Sequence, residues 1–312
     1  MALKLSRTGT TNSPRTNMTP PPATEASDAP LLDTATMTQL IDHPRFDAAM
    51  LAAATAMVEL YRGHWVLNRL VNDRGRFILG LMILDLHFVM GDGAGFTTAQ
   101  LRDVAGAHGV CSPGRITAFV ASLRLLGFLR PVAADDRRER RLVPTERFLA
   151  MHRERWRRSL EALALIRAEG ETAAATLGRP AFMSAFAHTL VGAYLGGLRV
   201  LDVVPELRRA ADRDAGLTVL FSLLIAEAAG QPVSIAALAR RFAVSRAHVL
   251  TVLREAEQAG LAVPAGPRGG YRAGPALKPA LRRFFALMFR MHLQGIEAAR
   301  QAGSLTGPTV QT

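Results

Sequence analysis

Two stretches of this sequence share one plan, and no other feature narrows its fold as much. Ser112-Pro113-Gly114-Arg115 opens an apolar-periodic run that closes at Gly127, and Ser245-Arg246-Ala247-His248 opens one that closes at Gly260. The serine-to-glycine separation is the same in both (127 − 112 = 260 − 245 = 15), so the two segments align without a gap. A serine ahead of a helix accepts from an orphan backbone amide, and a glycine behind it takes the left-handed conformation that ends it. Each segment is therefore a helix that carries its own start and stop.

A shorter capped helix precedes each one. Thr97-Thr98-Ala99-Gln100 is a capping box, flanked by Phe96 and Leu101 as a hydrophobic staple, and Val233 and Leu238 repeat that staple around Ser234. His108-Gly109-Val110 makes the turn between helices in the first copy, and the turn in the second copy is shorter. Upstream, Arg76 to Met90 and Leu217 to Ala229 read as a further helix for each copy, the first stopped by Gly91-Asp92-Gly93-Ala94-Gly95. Two capped helices joined by a tight turn form a helix-turn-helix.

Periodicity assigns the faces. Ile116, Phe119, Val120, Leu123 and Leu126 point inward; Gly114, Arg115, Ala118, Ala121 and Ser122 point outward, with Thr117 at the border. Small outward residues let a helix approach base edges, and Arg115 near its start can pair with guanine or phosphate. In the second copy Val249, Val252, Leu253 and Ala256 point inward. Arg246, His248, Thr251, Arg254 and Glu255 point outward, with His248 in the place of Arg115. This is the richer set for reading bases.

After Gly127, Phe128 to Val132 is a short strand, residues 133–139 a charged turn, and Arg140-Arg141-Leu142-Val143 the returning strand. Helix, helix, strand, charged turn and strand is the order of a winged helix. Arg137, Arg138, Arg140 and Arg141 then suit phosphates or a narrow minor groove, with Asp136 and Glu139 orienting guanidinium groups. The second hairpin, Pro264 to Arg272, is glycine-rich and carries only Arg268 and Arg272.

Asp136-Arg137-Arg138-Glu139-Arg140-Arg141 resembles the Asp-x-Arg-Asp/Glu-x-Arg wing signature of the multiple-antibiotic-resistance regulator (MarR) family, and Leu142-Val143-Pro144-Thr145-Glu146-Arg147 resembles the segment that follows it. The resemblance covers residues 75 to about 165. It implies that Arg138 enters a minor groove and Asp136 orients a neighbouring arginine. It also implies a two-fold dimer built from terminal helices, often with a small-molecule pocket beside the DNA-binding lobes. The second hairpin departs from the signature, and the family's two-fold would here come from duplication within one chain.

Charge fits a polyanionic partner. The formal net charge is +12 over 312 residues, almost all of it from arginine, since Lys4 and Lys278 are the two lysines. Thr145 to Leu165 is a long helix dense in arginine, whose basic face either flanks DNA or is simply solvated. One cysteine, Cys111, excludes an internal disulfide framework and fits a reducing cytosol. It is a small core residue or, beside Arg115 and a helix start, a redox-sensitive thiol. No secretory signal opens the chain. Ala181 to Leu198 reads as a buried helix rather than a membrane span, although Gly192 to Gly196 has a small-xxx-small pattern. The eight histidines lack ligand spacing, and phosphate loops, dinucleotide fingerprints and nucleophile elbows are missing, so neither metal, cofactor nor enzymatic activity is expected.

The expected fold is mainly α, with tandem winged helix-turn-helix modules whose small two- or three-stranded sheets are joined by long helices. The segments are a disordered Thr/Pro-rich tail (1–35), leading interface helices (36–74), a first winged helix (75–148), a helical connector (149–213), a second winged helix (214–275), a closing helix (276–302) and a flexible tail (303–312). The leading helices carry a stripe from Phe46 through Met50, Leu51, Ala54, Met57, Val58 and Tyr61 to Trp65, and the closing helix carries Phe284, Phe285, Leu287, Met288 and Met291. Both suit a partner subunit or a second domain. The expected function is a cytoplasmic, sequence-specific transcriptional regulator, either a monomer with an internal pseudo-two-fold or a homodimer. Its partner is double-stranded DNA bearing an imperfect inverted repeat, without membrane contact. The helix from Ala181 to Leu201 either lines a pocket for a small apolar effector or serves packing alone. The alternative function is a winged-helix protein-interaction or chromosome-associated module.

Overall fold

Helices α1 (Thr34–Asp42) and α2 (Phe46–Leu60) lead the computed structural model, which describes residues 34–61, 73–91, 93–132, 140–266 and 270–305. The leading helices expected over 36–74 divide at His43-Pro44-Arg45. Pro44 has no amide to continue a helix, and His43 Nδ1 accepts from the Arg45 amide at 3.1 Å. Trp65, the charged turn with Arg137 and Arg138, the tip of the second hairpin with Arg268, and nearly all of the amino-terminal tail lie outside the described residues.

A first lobe follows: α3 (Arg74–Met90), β1 (Phe96–Thr97), α4 (Thr98–Ala107), α5 (Pro113–Leu125), β2 (Leu129–Val132) and β3 (Arg141–Pro144). Next come α6 (Glu146–Leu163), α7 (Glu169–Thr176), α8 (Pro180–Leu195), α9 (Val200–Val203), a 3₁₀ turn (Pro205–Leu207) and α10 (Arg208–Ala211). The second lobe is α11 (Gly216–Ala228), α12 (Ile235–Phe242), α13 (Arg246–Gln258), β4 (Ala262–Pro264) and β5 (Tyr271–Ala273), and α14 (Leu277–Gln301) closes the chain. Among the described residues the protein is thus mainly α with two small antiparallel sheets.

Both lobes arrange their strands alike. In the first, β3 lies between β1 and β2, with Phe96 opposite Leu142 and Leu129 opposite Pro144. In the second, β5 pairs with β4, and on its other side Tyr271 bridges Val233 through amide-to-carbonyl bonds of 2.8 and 3.1 Å. Phe96 and Val233, read from sequence as staples, also supply this extra strand. That role escaped the sequence reading because their strand partners lie 46 and 38 residues away (142 − 96; 271 − 233).

The caps explain the boundaries. The Gln100 amide donates to Thr97 Oγ1 at 3.1 Å and the Thr97 amide to Gln100 Oε1 at 2.7 Å, a complete capping box. Ser112 accepts from the Arg115 amide and Ser245 from the His248 amide, starting two 13-residue helices. Gly127 and Gly260 then take φ of 72° and 70°, and the next amides, of Phe128 and Leu261, each reach back to a helix carbonyl at 2.8 Å. Helix α14 begins at Leu277, one residue inside the expected closing segment. Pro279 is tolerated there because amides of a first helical turn have no intrahelical partner.

The lobes share a helical layer, and by its contacts Leu32–Thr312 is one compact unit. Helix α2 packs on α6 and α11, while α14 lies along α8 and also touches α1, α2 and α9. Phe46, Met50, Ala54, Val58, Phe285, Leu287 and Phe289 are buried in this layer. Of the apolar faces expected to meet a partner subunit or second domain, these residues are thus covered within the chain, while Phe284, Met288 and Met291 are half-buried. Close approach of α8 and α14 depends on Gly295, where a Cβ would stand 2.6 Å from the Phe186 ring. The glycine pattern noted in α8 has a different outcome, since a Cβ at Gly192 would meet nothing within 4 Å. No helix among the described residues is long and apolar enough to cross a membrane.

Candidate nucleic-acid interface

Helices α5 and α13 present the outward faces read from sequence. On α5, Arg115 and Thr117 are exposed and Ser122 is half-buried; on α13, Arg246, Thr251 and Arg254 are exposed and His248 is half-buried. Three hydroxyl protons are taken by their own helices: Thr117 donates to the Pro113 carbonyl at 3.0 Å, Ser122 to Ala118 at 2.9 Å and Thr251 to Ala247 at 3.0 Å. Their lone pairs remain, so in this arrangement they offer acceptors.

The amino-terminal ends of the two helices belong to one polar relay. Asp73 is 8% exposed and caps α3, its Oδ1 accepting from the Arg76 amide at 3.0 Å. Its Oδ2 pairs with Arg76 Nε at 3.2 Å and with Arg115 Nη2 at 3.4 Å. Arg76 continues to Asp214 Oδ1 at 3.4 Å, and His248 Nε2 lies 2.8 Å from the Asp214 carbonyl oxygen. Beside this relay, Arg74 pairs with Asp212 at 3.1 Å and Arg213 with Glu255. Arg115 and His248, equivalent in sequence, therefore occupy equivalent places beside the first helix of their own lobes, and the two lobes meet at that seam.

Asp73, Arg76 and Asp214 were not assigned a role from sequence. Asp73 carried a legible signal, an aspartate directly ahead of a helix. The contact between Arg76 and Asp214 spans 138 residues and had none.

Arginines fall into two groups. Arg102, Arg124, Arg130, Arg140, Arg240, Arg246 and Arg254 are exposed on the lobes and have no ion-pair partner among the described residues. Those of α6 pair along their own helix: Arg153 with Glu146, Arg157 with Glu154 and Glu161, and Arg158 with Glu154. The basic face expected on that helix is largely neutralised. Arg141 turns back, its Nη1 at 3.4 and 3.5 Å from the carbonyls of Ala94 and Gly95, and braces the turn before β1.

Cys111 is half-buried, and burial pushes its thiol above the usual range. Arg115 opposes this, and Asp73 adds to it. The thiolate that a redox role needs is therefore disfavoured. Cys111 borders a cleft of about 150 Å³ between α3 and α5, lined also by Arg76, Leu79, Arg115 and Phe119. The helix expected to line an effector pocket, α8, packs instead against α14 and α3.

Deeper in the shared layer, His152 and His292 are buried, with His292 Nδ1 3.3 Å from Ser159 Oγ and His152 Nδ1 3.2 Å from Arg155. Burial, reinforced by the Arg155 charge, lowers both; His292 falls to about 3. Arg155 stacks 4.2 Å over Phe77 and is itself pushed down to about 10 by burial. Among the described residues no group of His, Cys, Asp and Glu side chains could hold a metal ion.

No protein-family model, no curated protein and no solved structure matches the chain.

Proposed function

We propose that this protein is a sequence-specific DNA-binding transcriptional regulator, with two MarR-like winged helix-turn-helix modules in one chain reading an imperfect inverted repeat in double-stranded DNA. The observation that carries the reading is the relay from Arg115 through Asp73, Arg76 and Asp214 to His248. It joins the starts of two matched helices: α13 presents Arg246 and Arg254 without carboxylate partners among the described residues, and on α5 Arg115, exposed, is shared with Asp73. Such arginines can pair with guanine or phosphate, whereas arginines already neutralised on α6 contribute little. Because most of the apolar faces of α2 and α14 pack within the chain, it works as a monomer whose pseudo-two-fold comes from its own duplication. Large apolar side chains exposed among the described residues are Val89, Leu125 and Val263 alone.

Selection of bound duplexes from random DNA tests the reading: an enriched motif with two unequal half-sites is expected. Arg138→Ala should weaken binding to all sequences and flatten its salt dependence, and an unchanged salt slope would remove the first hairpin from the interface. One observation favours the alternative of a protein-interaction module. Leu125 is 87% exposed, at helical spacing from Ala118 and Ala121 on the outward face of α5. If no motif is enriched and Leu125→Asp abolishes an association that Arg254→Ala leaves intact, that alternative replaces DNA reading.

A further inference from the structure

We infer that the two reading helices demand opposite hydrogen-bonding chemistry at the same position, Arg115 selecting an acceptor base edge and His248 a donor. This rests on the proposed DNA reading and goes beyond it by assigning the base class at one position of each half-site. Arg115 and His248 are equivalent, since each stands three residues after a capping serine that accepts from its amide. A guanidinium carries only donors. With Nη2 turned to Asp73, the remaining N–H groups of Arg115 can meet only acceptors, and in the major groove guanine O6 and N7 are the matching pair.

His248 is constrained differently. Its Nε2 lies 2.8 Å from the backbone carbonyl of Asp214, and a carbonyl oxygen can only accept, so Nε2 carries the proton. In the neutral ring the other nitrogen is then an acceptor, and Nδ1 makes no hydrogen bond among the described residues. Donors on the major-groove edge are cytosine N4 and adenine N6. The Asp214 carboxylate beside the ring is held by Arg76, and Glu255 on the same helix by Arg213, so neither is an open competitor for the base. The half-sites should accordingly differ here, guanine in one and cytosine or adenine in the other.

The test is selection from random duplex DNA at pH 8 with the full chain and with His248→Arg. The wild type should select cytosine or adenine where α13 reads and guanine where α5 reads. His248→Arg should convert the first of these to guanine, with a preference of about tenfold or more. Guanine in both half-sites of the wild type, or an unchanged preference in the variant, overturns the inference while leaving the reading intact. Failure to enrich any motif overturns both. A measurement independent of DNA, and of how the variant folds, is the nitrogen-15 spectrum of the wild-type His248 ring at pH 8. It should report the Nε2–H tautomer, and an Nδ1–H ring would overturn the inference.

Discussion

The two lobes keep one framework and differ in how strongly each part of it is secured. The first has a reciprocal capping box, two strand pairs between β1 and β3, and Gly109 at φ 62° in its turn. The second has a simple serine cap, a single bridge at Val233, and Ala243 forced to φ 53°. The equivalence of the turns rests on the next residue: the Val110 amide reaches the Ala105 carbonyl at 3.0 Å, and the Val244 amide the Ala239 carbonyl at 3.1 Å. Their outward faces diverge in the other direction. The better secured lobe presents small residues around Arg115, and the looser one carries Arg246, His248 and Arg254. The firmness of the framework and the chemistry of the outward face thus do not go together.

The largest expected effect tests the first half of that contrast. Phe96 is fully buried, and Phe96→Ala should cost about 3 to 5 kcal/mol in urea denaturation. The smaller Val233 is nearly buried, and Val233→Ala should cost about 1 to 2 kcal/mol. Equal costs would mean that the single bridge holds its lobe as firmly as the strand does.

Acid should attack the shared layer between the lobes. His152 and His292 have folded-state pKa values below the ordinary 6.5, that of His292 at about 3, so the unfolded chain binds protons first and stability falls as pH drops below about 6.5. His292 alone should cost roughly 2 kcal/mol by pH 5, and His152 adds to the loss in the same direction. His292→Leu should flatten part of this dependence in denaturation series at pH 7 and pH 5. His188 acts in the opposite sense: hydrogen-bonded to Asp85, it has a raised pKa, and its support is present at low pH and fades as pH rises. The steep acid loss therefore belongs to the buried pair.

Two arginines separate the lobe surface from α6. Arg254→Ala should weaken DNA binding by about 1 to 3 kcal/mol and lower the salt slope by about one, while Arg157→Ala should leave both unchanged in titrations at several salt concentrations. Similar effects from the two would erase the distinction between unpaired and neutralised arginines. Smallest is the turn exchange. Gly109→Ala should destabilise by about 1 kcal/mol and Ala243→Gly should stabilise by up to about 1 kcal/mol, read from shifts of the thermal midpoint. The same sign for both would show that the two turns are not equivalent.

Legibility followed the range of the forces. Ser112, Thr97, Gln100 and Ser245 act on amides within three residues, so periodicity and caps placed α4, α5 and α13 closely. The pairs of Arg157 and Arg158 with Glu154 were also local, and their three- and four-residue spacing could have foretold that α6 neutralises itself. Glycine spacing cannot say which surface receives a neighbour: a Cβ at Gly192 of α8 would meet nothing within 4 Å, and Gly295 on α14 makes the close approach.

Sequence alone determined where the helices begin and end, and that one order of elements occurs twice. Those outcomes depend on amides, carbonyls and left-handed glycines within a few bonds of one another. Only the tertiary structure decided that the lobes meet at Arg76 and Asp214, that Arg141 folds back while Arg254 has no carboxylate partner among the described residues, and that His152 and His292 are held neutral. Ion pairing and desolvation depend on which distant segments are brought together, and no local pattern in the chain encodes that.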